Sequence, residues 1–287
     1  MIRPMADLPE RVRLVIFDLD GVVYRGLDPI PGASELVAWL HSTDTLVRFA
    51  TNNSMVARAG YVDRLAAMGI STSEDEIVTS TSATVEHLRR HAPQIGSVLG
   101  IGADGMREEL AAAGLEVVMA DAVDPAPAPG GSLPRTFDAV IVGLAPNLTY
   151  DHLAAALSAV SDGARLIATN ADARYPTPTG FLPGAGSIVA ALATATGVEP
   201  EVIGKPSPAM FTAILESAGA EPTASVVIGD NPDADIAGAH RAGCAAILVL
   251  TGVADGELAR SLTGERQPDA IADDPAAVRR LLEDRVR

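Results

Sequence analysis

Short apolar runs recur along this chain, and nearly every one stops at a polar residue or a glycine. Residues 14–17 lead into Asp18, and 46–50 lead into Thr51-Asn52-Asn53-Ser54. Val202-Ile203 precede Gly204-Lys205, 226–228 precede Gly229-Asp230-Asn231, and 246–250 lead into Thr251-Gly252. Such runs, short and rich in valine and isoleucine, predict buried strands. Helical spacing at 31–40, 59–68, 209–218 and 235–242 fills much of the interval between them. The alternation predicts an α/β fold: a doubly wound, mostly parallel Rossmann-like sheet with helices on both faces. Ligands of such sheets bind beyond the carboxyl ends of the strands. That is where this chain places its aspartates, threonine, asparagines and lysine.

The intervals are unequal. Between Asp20 and Thr51 there is room for one helix and one strand, whereas between Asn53 and Lys205 there is room for a whole domain. That longer interval carries its own strand candidates at 98–101, 116–119, 139–142 and 165–168, with helix candidates at 106–113 and 150–160. The expected organisation is therefore a core made of 1–92 and 201–287, with an inserted α/β domain over 93–200. Within the insertion, 121–134 is rich in Pro, Ala and Gly and predicts a mobile surface loop.

Composition narrows the partners. The chain of 287 residues carries 37 acids against 21 bases, a formal net charge of −16. Such a surface repels nucleic-acid phosphate and anionic membrane, so neither is expected as a partner, while a locally positive site can still take a small anion. A hydrophobic fraction of 48% argues against disorder. The single cysteine, Cys244, lies in an apolar stretch and reads as an inert core thiol. With no apolar leader segment and no run long enough to span a bilayer, the expected location is cytoplasmic.

The chemistry concentrates at Asp18-Leu19-Asp20, because a buried strand end avoids unpaired carboxylates unless a cation or a reaction compensates them. The alternative is an exposed strand terminus with solvated acids. Taken with the other strand ends, the pair makes a phosphoryl-transfer site. Asp18, ionised near neutral pH, can attack phosphorus and form an aspartyl-phosphate. Asp20, its proton affinity raised by a nearby carboxylate, can serve as general acid and then as base. Asp230 can join Asp18 in holding Mg²⁺, a hard cation that prefers oxygen. Lys205 can balance phosphate charge, while Thr51 and Asn52 can donate hydrogen bonds to the same group.

These residues resemble the four motifs of the haloacid dehalogenase (HAD) superfamily. Phe17-Asp18-Leu19-Asp20-Gly21-Val22-Val23-Tyr24 is similar to motif I, and Thr51-Asn52-Asn53-Ser54 to motif II. Gly204-Lys205-Pro206-Ser207-Pro208 is similar to motif III, and Gly229-Asp230-Asn231 through Asp235-Ile236 to motif IV. Asp-x-Asp alone is a weak signal; four motifs in order over nearly the whole chain are a strong one. The insertion, with Thr169-Asn170-Ala171-Asp172 and Pro183-Gly184-Ala185-Gly186-Ser187, resembles the NagD-like subfamily IIA.

The resemblance implies an Mg²⁺-dependent phosphatase of small phosphomonoesters such as glycerol 3-phosphate, phosphoglycolate or 4-nitrophenyl phosphate. It makes Asp18 nucleophile and metal ligand, and Asp20 acid/base with its backbone carbonyl on the metal. Thr51, Asn52 and Lys205 become the phosphate ligands, and Asp230 the acidic metal ligand. Asp235 would orient Lys205 or a metal-bound water. Ala234 departs from the pattern, since many relatives have threonine there. The inserted domain would be a cap whose loop, with Asn170, Asp172, Arg174 and Tyr175, reads the leaving group. Some relatives dimerise through this cap, which leaves a homodimer open.

Other readings compete. Nucleotide (UMP-type) and pyridoxal phosphate phosphatases share the pattern, and Tyr175 stands where some pyridoxal phosphate enzymes have histidine. Asp20 argues against dehalogenation and phosphonate cleavage, and a phosphomutase would need its cap between motifs I and II. A non-catalytic metal-binding regulator is the non-enzyme alternative. Gly100-Ile101-Gly102-Ala103-Asp104-Gly105 fits a dinucleotide fingerprint but lies inside the insertion, where a tight strand–helix turn explains it. His87 and His91 have no third ligand at suitable spacing and predict a solvated helix face. Trp39 reads as core.

Overall fold

The computed structural model describes residues 8–123, 133–177 and 180–286. Among them the chain forms two compact units. One contains Ala59–Val78 with the described parts of 1–51 and 205–287; the other contains Asn52–Arg58 and the described parts of 79–204.

The first unit is built on a six-stranded sheet in the order Ala270–Ala272, Ala245–Val249, Ser225–Gly229, Leu14–Asp18, Leu46–Thr51, Ile77–Thr79. From Leu14–Asp18 the chain adds strands outward on one side, then returns to add the remaining three on the other. The pairings of Leu14–Asp18 with both neighbours are parallel, with Asp18 opposite Ala50 and Phe17 opposite Ile228. Leu14, Val15, Ile16 and Phe17 are all buried, as expected of a central strand covered on both faces. The Phe17 and Phe49 rings stack across the strand pair with centroids 5.8 Å apart. Asp18 therefore ends the strand at which the winding reverses, the position where such sheets open a crevice.

The second unit has a five-stranded sheet in the order Glu201–Val202, Arg165–Ala168, Ala139–Val142, Ser97–Ile101, Glu116–Met119, with every pairing parallel. Its own core includes Leu99, Val140, Val142, Leu166 and Leu192. A hairpin, Arg174–Thr177 against Gly180–Pro183, extends from it. Residues 79–92, assigned to the core from the sequence, group with this unit. Thr79 caps the helix Ser80–His91, and its hydroxyl donates to buried Glu109 of the helix Asp104–Ala112 at 2.5 Å. Of the expected 121–134 loop, 124–132 lie outside the described residues, and Ala120–Ala122 form a 3₁₀ turn.

Local chemistry explains other departures. The helix expected at 235–242 is a wide turn, Pro232–Ile236, followed by a short helix, Ala237–Arg241. The Asn231 side chain accepts from the Asp233 and Ala234 amides at 3.0 and 3.2 Å, which starts the turn early. The fingerprint-like glycines make room for protein. A side chain on Gly102 would meet Met106 at 2.5 Å, and one on Gly105 would meet the Met55 carbonyl at 2.5 Å. Trp39 is only half-buried, with Arg279 over its ring at 5.0 Å. His87 is not simply solvated, since its Nε2 lies 2.7 Å from Glu201, which also pairs with Arg165. Cys244 is buried, as expected, and burial pushes its thiol up to about 12. No described helix is long and apolar enough to cross a membrane.

Leu192, fully buried on the helix Ala185–Thr196, tests the second core. Leu192→Ala should cost about 2–5 kcal/mol by leaving a cavity, seen as a lower urea midpoint.

Candidate active site

Strand ends of the first unit bring the predicted carboxylates together, and Lys205 joins them from the segment before the helix Pro208–Ala218. The apolar run expected as its core strand, Val202-Ile203, instead contributes Glu201–Val202 to the second unit's sheet. Lys205 is buried, and its Nζ donates to Asp18 Oδ1 at 2.5 Å, Asp235 Oδ1 at 2.7 Å and the Ala50 carbonyl at 3.2 Å. Carboxylate oxygens of Asp18, Asp230 and Asp235 all lie within 4.8 Å of one another. Asp235 also accepts from the Asn231 amide at 3.1 Å, so both of its oxygens are engaged. Thr51 is buried at the end of its strand.

Glycines fit this cluster into the sheet end. Gly21, with φ +84°, turns the chain after Asp20, and a side chain there would sit 2.2 Å from Asp230 Oδ2. A side chain on Gly252 would sit 1.9 Å from the same oxygen, which instead accepts from the Val253 amide at 2.6 Å. On the far side, a side chain on Gly229 would collide with Asp235 at 2.2 Å. Gly21, in motif I, and Gly252, after a strand end, both shape the Asp230 seat, a role that neither position shows in the sequence.

Electrostatics follow from crowding. Burial pushes the Asp18 carboxyl well above the usual carboxylate range; Lys205 opposes this, while Asp235 and Asp230 add to it. The expectation of an ordinary ionised Asp18 thus holds only with more positive charge than Lys205 supplies. Burial, with the Asp235 charge added, pushes Asp230 up to about 7. Burial works against the Lys205 charge, but Asp18 and Asp235 outweigh it and hold the ammonium above its ordinary range. Asp20 stands apart from this trio. Desolvation raises its proton affinity, opposed by the Gly26 N–H and the Arg64 charge. The raised affinity was expected, but its main cause is burial and not a neighbouring carboxylate.

The trio faces one ammonium, which leaves two negative charges uncompensated in a mostly buried, all-oxygen setting. A hard divalent cation fits that donor set. Asp18 and Asp230 have the oxygens to hold it, and Asp235 is occupied with Lys205 and Asn231.

The remaining predicted residues lie in the second unit, where they largely bind one another. Asn52 Nδ2 donates to Asp172 Oδ2 at 3.0 Å. The Asn52 carbonyl accepts from Asn170 Nδ2 at 2.7 Å and from Ser80 Oγ at 2.8 Å. Asn170 and Asp172, read as substrate contacts, thus use side-chain atoms to hold Asn52. The turn they form packs against bare backbone, since side chains on Gly184 and Gly186 would meet the Asp172 and Ala171 carbonyls at 2.1 and 2.2 Å. Arg174 is exposed, with its guanidinium 5.7 Å from the Phe181 ring centroid, and Tyr175 is half-buried opposite Leu182.

A doubly wound sheet with this carboxylate–lysine cluster at its switch point has the architecture of a haloacid dehalogenase-like hydrolase, and the chain belongs to that family. The family profile of haloacid dehalogenase-like hydrolases matches residues 15–116, and a HAD-hydrolase-like profile matches 202–278. An acid sugar phosphatase of Staphylococcus epidermidis is 34% identical over 238 residues, 83% of this chain and 86% of that one. Among solved structures, a p-nitrophenyl phosphatase from Archaeoglobus fulgidus superposes with a TM-score of 0.82 at 33% identity, covering 93% of this chain and 98% of its own. A glycerol phosphate phosphatase from Mycobacterium tuberculosis, in complex with magnesium, gives 0.80 at 32% identity, covering 97% and 78%. These relatives are consistent with the NagD-like subfamily IIA.

The crowding has a measurable consequence. The native Asp230 carboxyl, at about 7, binds a proton that the unfolded chain, near 3.9, releases. Its stabilising contribution is complete below about pH 4 and is lost as pH rises through about 7. In EDTA-treated protein, Asp230→Asn should therefore flatten the fall in Tm between pH 5 and 7.5. Mg²⁺ should raise the Tm of the parent most at the upper end of that range.

Proposed function

We propose that the protein hydrolyses small-molecule phosphomonoesters in the presence of Mg²⁺ through a phosphorylated Asp18. The observation that carries this reading is Lys205, buried and bonded to both Asp18 and Asp235 beside Asp230. The relatives named above, phosphatases of acid sugars, p-nitrophenyl phosphate and glycerol phosphate, support it.

Asp18 attacks phosphorus, its carboxylate oxygen forming the new P–O bond as the ester P–O bond breaks. Asp20 gives its proton to the departing alkoxide, and its raised proton affinity keeps that proton available. A water then attacks the phosphorylated Asp18 and surrenders a proton to Asp20; inorganic phosphate leaves, and Asp18 is regenerated. Lys205 balances charge on the phosphoryl oxygens and favours the Asp18 anion together with the bound cation, and Asp235 orients Lys205. Thr51 and Asn52 supply hydrogen bonds to the phosphoryl group. Asp18, Asp230 and the Asp20 carbonyl would hold Mg²⁺, which supplies charge neutralisation for the nucleophile and the transferred group.

The second unit acts as the cap, a domain of about 93–200 by motif spacing and of 52–58 with 79–204 by compactness. Arg174 and Tyr175, on its hairpin, are the side chains assigned to the leaving group. Asn170 and Asp172 serve that loop by holding Asn52.

Phosphate release should appear with Mg²⁺ on a panel of glycerol 3-phosphate, phosphoglycolate, pyridoxal phosphate, UMP and 4-nitrophenyl phosphate. EDTA or Asp18→Asn should reduce it to background. Turnover that survives Asp18→Asn would exclude this mechanism. Asp20→Asn gives a sharper test. It should lower kcat/KM by about 10²–10⁴ for glycerol 3-phosphate, whose alkoxide needs a proton, and by much less for 4-nitrophenyl phosphate.

A further inference from the structure

The Asp230 seat is made by a loop with little regular structure, and something must hold that loop in place. Gly252 and Val253 follow the strand Ala245–Val249. Gly252 packs its bare Cα against the Asp230 carboxylate, and Val253 donates its amide to Oδ2. Ala254 adds an amide to the Asp230 carbonyl at 3.2 Å. Among the described residues, Thr251 ties the loop by hydrogen bonds to the segment that follows the nucleophile strand. Its hydroxyl donates to the Gly21 carbonyl at 2.6 Å, and its own carbonyl accepts from Arg25 Nε at 2.5 Å.

Both partners belong to the segment that follows the nucleophile strand. Gly21 is the other glycine against Asp230, and its amide donates to the Tyr24 carbonyl at 2.7 Å. Arg25 lies on the small hairpin Tyr24–Arg25 against Asp28–Pro29, whose turn residue Gly26 donates its amide to Asp20. Thr251 therefore connects the two loops that close on Asp230 from either side, and one of these loops also carries Asp20.

We propose that Thr251 is a positioning residue: through Gly21 and Arg25 it fixes the Gly252–Val253 loop and so sets the Asp230 carboxylate for a divalent cation. The proposal rests on the phosphatase reading for its ligand. It goes beyond that reading by assigning a role to a side chain that touches neither phosphate nor metal. A side chain on Gly252 would lie 1.9 Å from Oδ2, so the loop backbone packs directly on the carboxylate.

Thr251→Val keeps shape and volume but removes the donor to Gly21; Thr251→Ser keeps the donor. Arg25→Met, at an exposed position, removes the second hydrogen bond with little risk to folding. Mg²⁺ binding is measured by isothermal titration calorimetry and by the Mg²⁺-induced rise in Tm, with circular dichroism to confirm that each variant is folded. Steady-state kinetics use 4-nitrophenyl phosphate.

Thr251→Val should weaken Mg²⁺ binding roughly five- to twentyfold, on the scale of an outer-sphere partner. It should lower kcat at fixed Mg²⁺ and leave the substrate KM within about twofold. Thr251→Ser should restore Mg²⁺ binding, and Arg25→Met should weaken it by less than Thr251→Val does. A folded Thr251→Val that binds Mg²⁺ like the parent overturns the proposal and leaves the phosphatase reading standing, as does a Thr251→Ser as weak as Thr251→Val. A parent that neither binds Mg²⁺ nor releases phosphate overturns both.

Discussion

One ammonium among three carboxylates is the constraint on which the site depends. Lys205 is buried, and a buried lysine without acids would shed its proton; three buried acids without a cation would take protons up. Each makes the other's charge tolerable, and Asp235 is the part of the arrangement with no oxygen to spare. The remaining imbalance falls on Asp18 and Asp230, whose proton affinities are raised. A site built in this way is incomplete as protein alone. An excess of negative charge on oxygen ligands suits a small, hard dication better than a monovalent ion.

The sheet makes this crowding possible at acceptable cost. The carboxylates reach one point because parallel strands deliver their carboxyl ends to the same edge, the winding reverses at Leu14–Asp18, and Lys205 meets them from the segment before the helix Pro208–Ala218. Backbone then replaces side chain wherever carboxylates must approach closely. Gly21, Gly229 and Gly252 each stand where a methyl group would strike Asp230 or Asp235. These glycines are therefore part of the electrostatic design, since the distance between charges is set by the atoms missing around them.

Much of this was legible in the sequence because strands and their polar ends are local signals. The strands Glu116–Met119, Ala139–Val142 and Arg165–Ala168 stand at the expected residues, and the core charges converge as the motif order implied. Signals that depend on tertiary partners were not legible. The helix Ser80–His91 offers few apolar positions, because its polar face is satisfied by Glu109 and by the Asn52 carbonyl, far away in sequence. Trp39 looked like core from its neighbours, yet its outer face is covered by Arg279. His87 likewise gains its partner, Glu201, from a strand that local periodicity cannot connect to it.

The same distinction explains why reaction class is easier to read than substrate. The reaction is fixed by residues that the fold itself constrains: Lys205 and Asp235 could not be exchanged without leaving a buried charge unpaired. The hairpin Arg174–Thr177 and Gly180–Pro183 is under no such constraint. Phe181 and Leu182 are largely exposed, and Arg174 lies over Phe181 at the surface. Substitutions there cost the fold little, in contrast to those at Lys205 and Asp235. Discrimination worth only about 1–3 kcal/mol per methylene is enough to move preference from one ester to another. Preference among esters can therefore shift through changes too small to disturb the fold, while the charge balance around Lys205 keeps the chemistry fixed.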